Sequence, residues 1–234
     1  MNETMNEIFL SSAYFGAALT IGAFMFGRWL QKKTGFILFN PILVGLLICI
    51  AFLKIFNIDY EAYNQGGKYV SYFLNLATIS LAILLYEQFE ALKKNYLAIL
   101  LGILSGVLTT GLTLLIFAII FKFSHTEYVT LLPHAITTAM GMALAEQYKG
   151  YVSIAVAGIV VSGITGNVVA VPVCRLFRIT EPVARGIGIG TASHALGTAK
   201  ALEMGEIEGA MAGLSIAVAG LMTVITMVVF AGLY

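Results

Sequence analysis

Residues 133–139 read PHAITTA, and residues 193–199 read SHALGTA. The two phrases are polar, nearly alike, and embedded in sequence that is otherwise apolar. Laying His134 on His194 sets HAITTAMGMALAE against HALGTAKALEMGE. Ala135 then meets Ala195, Thr138 meets Thr198, Ala139 meets Ala199 and Glu146 meets Glu206. After a further shift of two residues the match continues, because SIAVAG stands at 153–158 and again at 215–220. Each unit, about 128–176 and about 182–234, is thus a polar, interrupted segment followed by an apolar one. A weaker echo lies upstream, where NLATISLAILLYEQ (75–88) leads into the apolar run from Tyr96.

The composition says which solvent surrounds these phrases. Of 234 residues, 59% are hydrophobic and 11% charged, whereas a soluble domain carries about 25% charged residues. So much apolar surface calls for lipid. A net charge of +1 offers nothing to nucleic acid. Cys49 and Cys174 fall in or beside apolar runs and support neither a disulfide framework nor a metal site. The first apolar run follows the acidic start MNETMNE, without the basic flank of a signal peptide, and reads as a retained helix.

The expected fold is an all-α polytopic membrane protein in a single integral domain over 1–234. A span needs about 20 apolar residues. Six stretches qualify: Phe9–Trp29, Phe36–Phe56, Tyr69–Phe89, Tyr96–Phe121, Tyr151–Leu176 and Ala210–Tyr234. Tyr128–Tyr148 and Pro182–Met204 are long enough but too polar, and they hold the two phrases. Basic residues collect on the cytoplasmic side of membrane proteins. Arg28, Lys32, Lys33, Lys93 and Lys94 then put the N-terminus outside, with Asp59 and Glu61 in an outer loop. Arg175, Arg178 and Arg185 stay inside only if Tyr128–Tyr148 dips in and returns. By the same logic Pro182–Met204 dips in from the cytoplasm. The two units are then inverted repeats with broken or re-entrant segments, the architecture of secondary transporters.

Irregular backbone at membrane depth is tolerated only where it lines protein or water. Helix N-termini freed there make an anion site, which suits a small carboxylate substrate. Thr137, Thr138, Ser193 and Thr198 are the candidate hydroxyl donors, and His134 and His194 the candidate positive charges. A buried histidine held by a backbone carbonyl is the plainer alternative. Lys200 either pairs with the substrate or snorkels to the surface. Arg185, ahead of GIGIG (186–190), is either a bidentate carboxylate clamp or a charge anchor. Asn167 in SGITGN (162–167) sits mid-span and needs a partner; a bond across to a broken helix would serve either as structure or as a wall of the site. Glu203, Glu206 and Glu208 mark the cytoplasmic end. Threonine and the 24 glycines also serve helix packing. GIGIGTASHALG is no dinucleotide fingerprint, since no strand precedes it. No catalytic constellation, cofactor motif or metal-ligand set is present, so an enzyme is not expected.

NPILVGLLI (40–48), YNQGGKYVSYFL (63–74), the LLP…TT pattern at 131–138 and EPVARGIGIGTASHALGTAKALEMGEIEGA (181–210) resemble the LrgB/CidB family over about 36–234. The resemblance implies a bacterial inner-membrane protein, often encoded with a small LrgA/CidA-type partner. Members were described as antiholin- or holin-like regulators of murein hydrolase activity and autolysis. The family also includes part of the plastid glycolate/glycerate translocator, and bacterial relatives are linked to pyruvate uptake. It therefore implies transport of small 2-oxo or 2-hydroxy monocarboxylates, with a holin/antiholin-like pore or regulator as the alternative. Carried over by position, it points to Arg185, Gly190, Thr191, Ser193, His194, Gly197, Thr198 and Lys200. The first phrase departs from the family pattern: His134, Ala135 and Ala139 replace lysine, serine and proline, and Leu84 replaces another proline. A homo-oligomer, as a dimer, is expected. Cysteine labelling from either side of the membrane should find position 178 inside and position 149 outside; both on one side would overturn the inverted arrangement.

Overall fold

The computed structural model describes residue 12, residues 14–36, residues 39–87 and residues 89–234. The acidic start, the first residues of the span from Phe9, and the expected outer N-terminus lie outside the described residues, as do Ile37, Leu38 and Gln88. All described elements are helices: α1 Phe15–Thr34, α2 Pro41–Ile55, α3 Tyr60–Glu87, α4 Phe89–Phe121, α5 His125–Leu131, α6 Thr138–Gln147, α7 Val152–Leu176, α8 Pro182–Met204 and α9 Glu206–Phe230. Among the described residues three stretches are long and apolar enough to cross a bilayer: Lys93–Phe121 in α4, then α7 and α9. The apolar helix α2 has only 15 residues. At 1.5 Å per residue it spans about 22 Å, less than a bilayer core of about 30 Å. The expected six full spans are therefore met by three helices on this measure.

The chain packs as two compact units, up to Ser80 and from Leu81 to Tyr234. In the first, Asn40 caps α2, its Oδ1 accepting from the N–H groups of Ile42 and Leu43 at 2.9 and 3.3 Å. Pro41 starts the helix where no N–H is needed. Gly27 and Gly45 let α1 and α2 approach: a Cβ on Gly27 would lie 3.0 Å from Pro41 Cα. The Thr20 and Tyr63 hydroxyls meet at 2.7 Å and tie α1 to α3.

The second unit carries both polar phrases. Ser124 and Glu127 form a capping box at the start of α5. These hydrogen bonds hold the exposed Glu127 carboxyl below the usual carboxylate range. The α5 helix ends at Leu131, and residues 132–137 are non-helical before α6 begins. Pro133 contributes to the stop because it has no N–H with which to continue the ladder, while Leu132 before it still keeps helical angles, φ −49° and ψ −45°. Tyr128 Oη donates to Phe230 O at 3.0 Å, so the end of α5 is anchored to the end of α9. Thr130 Oγ1 accepts from Tyr151 N–H at 2.8 Å and ties α5 to the start of α7.

The second break needs no proline. Within α8, His194 has φ 42° and ψ −139°, so two half-helices meet there. Glycines then set the spacing of the unit. Gly190 lies against Ala212, and a Cβ on it would sit 2.6 Å from Ala212 Cα, so α8 and α9 touch backbone to backbone. Apolar side chains fill the space beyond: Ile99, Ile103 and Val107 of α4 pack on Ile187 of α8 and on Ala210 and Met211 of α9.

The contrast between two glycines tests this packing. Gly190→Ala must push α8 from α9 and should cost about 1–3 kcal/mol. Gly188→Ala meets nothing within 4 Å and should leave thermal unfolding in detergent unchanged or slightly improved. Equal melting of both variants would overturn the close approach.

Candidate functional site

Both histidines stand at a break, and each ring is held by a main-chain carbonyl. His134 Nδ1–H donates to Leu131 O at 2.9 Å, closing the end of α5. His194 Nε2–H donates to Ile159 O of α7 at 3.0 Å, and its side chain is 3% exposed. A carbonyl can only accept, so these bonds specify which ring nitrogen carries the proton.

Helix α7 is the splint for both breaks. Its Asn167 Nδ2 donates to Leu196 O at 2.6 Å, in the second half-helix of α8. Its Ser162 hydroxyl lies 3.5 Å from Ala192 O in the first half. Thr198 Oγ1 donates to His194 O at 3.0 Å. Hydroxyl, amide and imidazole thus occupy carbonyls around the break, as a low-dielectric setting demands. Two glycines permit the contact. A Cβ on Gly163 would fall 2.6 Å from His194 Cε1, and one on Gly141 of α6 would overlap Ile159 Cδ1. Ile159 therefore serves both phrases, by its carbonyl to His194 and by its side chain on α6.

Two cavities flank the first half of α8. The smaller, about 20 Å³, is lined by Leu132 and Ala135 from the first break, Thr191 from the second, Thr110 of α4, and Thr223 and Thr226 of α9. The larger, about 200 Å³, lies between α7 and α8 and is lined mainly by small apolar residues with Arg185 and Ser193. Residues two apart on a helix diverge by about 200°. Thr191 and Ser193 accordingly face different cavities, although the sequence reading pooled them.

The remaining candidates are spread around this core. Thr137 is the N-cap of α6 but makes no side-chain cap bond, and Thr138 is the first helical residue; neither lines the two cavities. Lys200 Nζ pairs with Glu203 at 2.7 Å on the same helix. Arg185 Nε donates to Ile179 O at 2.8 Å, and Nη1 lies 3.6 Å from Glu208 Oε1. Glu208 is buried at 6% exposure. It is therefore a buried counter-charge to Arg185, and the sequence reading, which took it as an end marker, missed that role. Thr223 and Thr226 were missed too; their only trace in the sequence is a pair of hydroxyls three apart in an apolar helix. Among the described residues no group of three histidine, cysteine or carboxylate side chains could hold a metal ion.

The family model described as the LrgB-like family matches residues 20–233. The chain belongs to this family. It is 36% identical over 218 residues to the antiholin-like protein LrgB of Bacillus cereus (strain B4264), covering 93% of this chain and 95% of that protein. The same values hold for the antiholin-like protein LrgB of Bacillus anthracis (strain CDC 684 / NRRL 3495). No solved structure gives a significant match. Family and apolar helices together make this LrgB-like chain a membrane protein.

The break in α8 has a direct test. Positive φ strains any residue with a Cβ, while glycine adopts it freely. His194→Gly should therefore be about 1 kcal/mol more stable than His194→Ala. A continuous helix would give the opposite order, by about 1 kcal/mol. Chemical or thermal unfolding of both variants in detergent decides between them.

Proposed function

We propose that this chain is an antiholin-like membrane protein that restrains the membrane permeation leading to murein hydrolase release and autolysis. The observation that carries this reading is its likeness, over nearly the whole chain, to relatives named antiholin-like protein LrgB. A regulator of this kind acts through apolar helix faces that meet other helices in the bilayer. Ile116, Ile120, Ile225 and Val229 supply such exposed faces on α4 and α9. The partners for this role are a small LrgA/CidA-type membrane protein and a second copy of the chain. Its place would be the cytoplasmic membrane of a bacterium, N-terminus outward.

A second reading has its own observation. Two helix breaks at matching histidines, the second of them next to a cavity that carries Arg185 and Ser193, suit alternating-access transport of a small monocarboxylate such as pyruvate or glycolate. The Arg185 guanidinium would clamp the carboxylate there, with Glu208 as its resting partner.

One pair of assays separates the readings. Expression in a bacterium lacking its own LrgB should slow detergent-triggered autolysis relative to the empty vector; unchanged or faster lysis would count against the first reading. Reconstituted vesicles should show no saturable pyruvate or glycolate uptake under that reading. Saturable uptake, weakened in Arg185→Gln, would establish the second instead.

A further inference from the structure

Thr191 Oγ1 is buried and has no hydrogen-bond partner, alone in this among the buried side-chain polar atoms of the described residues. The residue is 5% exposed. Leaving such a hydroxyl unmade in an apolar interior is costly, so its cavity is the place to look for what completes it. The methyl side of Thr191 faces α4, where Gly106 makes room for Cγ2. The small cavity on which Thr191 stands also presents Thr110, Thr223 and Thr226, so four hydroxyl-bearing residues from three helices converge on it. Thr226 Oγ1 already donates to Met222 O at 2.9 Å, which leaves its lone pairs as acceptors.

We propose that this threonine-lined cavity binds one small monovalent cation of the sodium class. Its volume of about 20 Å³ admits one particle the size of a water molecule and excludes a carboxylate substrate. Its charge environment favours a cation. No basic side chain lines it. Thr191, in the last turn of the half-helix before the break in α8, stands on its wall. Helix C-termini carry partial negative charge. Divalent ions prefer carboxylates, and none lines the cavity. Neutral hydroxyl oxygens in a small site suit a hard monovalent ion. Because the walls come from α4, α9 and both breaks, the bound ion would hold the two phrases in register. The proposal rests on this cavity and on neither reading of the function.

The test uses the purified full chain in detergent, melted in choline chloride with NaCl, LiCl or KCl exchanged in at constant ionic strength. The expected result is a melting temperature that climbs with the logarithm of NaCl concentration, less so for the larger potassium ion. Thr191→Val, which keeps the shape and removes the oxygen, should abolish the shift. Thr226→Val should weaken it. Thr109→Val, whose exposed hydroxyl serves its own helix, should retain it. If Thr191→Val does not fold, Thr226→Val and direct ²²Na⁺ binding to the unaltered chain decide. Identical melting in all four salts, as for a cavity holding only water, would overturn the proposal. So would an undiminished sodium shift in both cavity variants.

Discussion

A peptide group that leaves its helix in an apolar interior must find a new partner or cost several kcal/mol. That constraint organises the second compact unit. The chain breaks its helical ladder twice, at residues 132–137 and at His194. Around each break, polar side chains take up carbonyl groups. His134 bonds Leu131, His194 bonds Ile159, Asn167 bonds Leu196 and Thr198 bonds His194. The polar phrases are thus first of all a repair of the backbone. Whatever they do for a ligand is done with the groups left over.

Those leftover groups are few. Thr191 keeps an unbonded hydroxyl on one side of α8, and Arg185 reaches a second cavity on the other while remaining tied to Glu208. The pairing matters because the buried carboxylate of Glu208 would be costly without a counter-charge. Glycine completes the arrangement. Gly141, Gly163 and Gly190 admit Ile159, the His194 ring and the Ala212 backbone where a Cβ would collide. Small residues replace the hydrophobic effect as the means of helix association where lipid is the solvent.

Much of this was legible in the sequence. The low charge content named the solvent, the repeated phrase located both breaks, and Pro133 supplied a local cause for the first. Motifs such as 181–210 were sufficient to suggest the family that the whole-chain match then established. Asn167, an amide stranded in an apolar run, had to have a partner, and a broken helix provides it. These features are legible because they depend on composition and on interactions within a few residues.

The tertiary structure decided the rest. No local signal marks His194 for positive φ; the main-chain geometry there is stabilised by bonds to α7 that span 35 and 29 residues of sequence. Likewise only packing shows that Glu208 is buried on Arg185, that Thr223 and Thr226 share a cavity with Thr191, and that Ser193 looks the other way. Sequence determines which groups are polar and where a helix cannot easily continue. Which of those groups meet depends on how separate helices rotate and approach, and that is set by contacts between positions far apart in the chain.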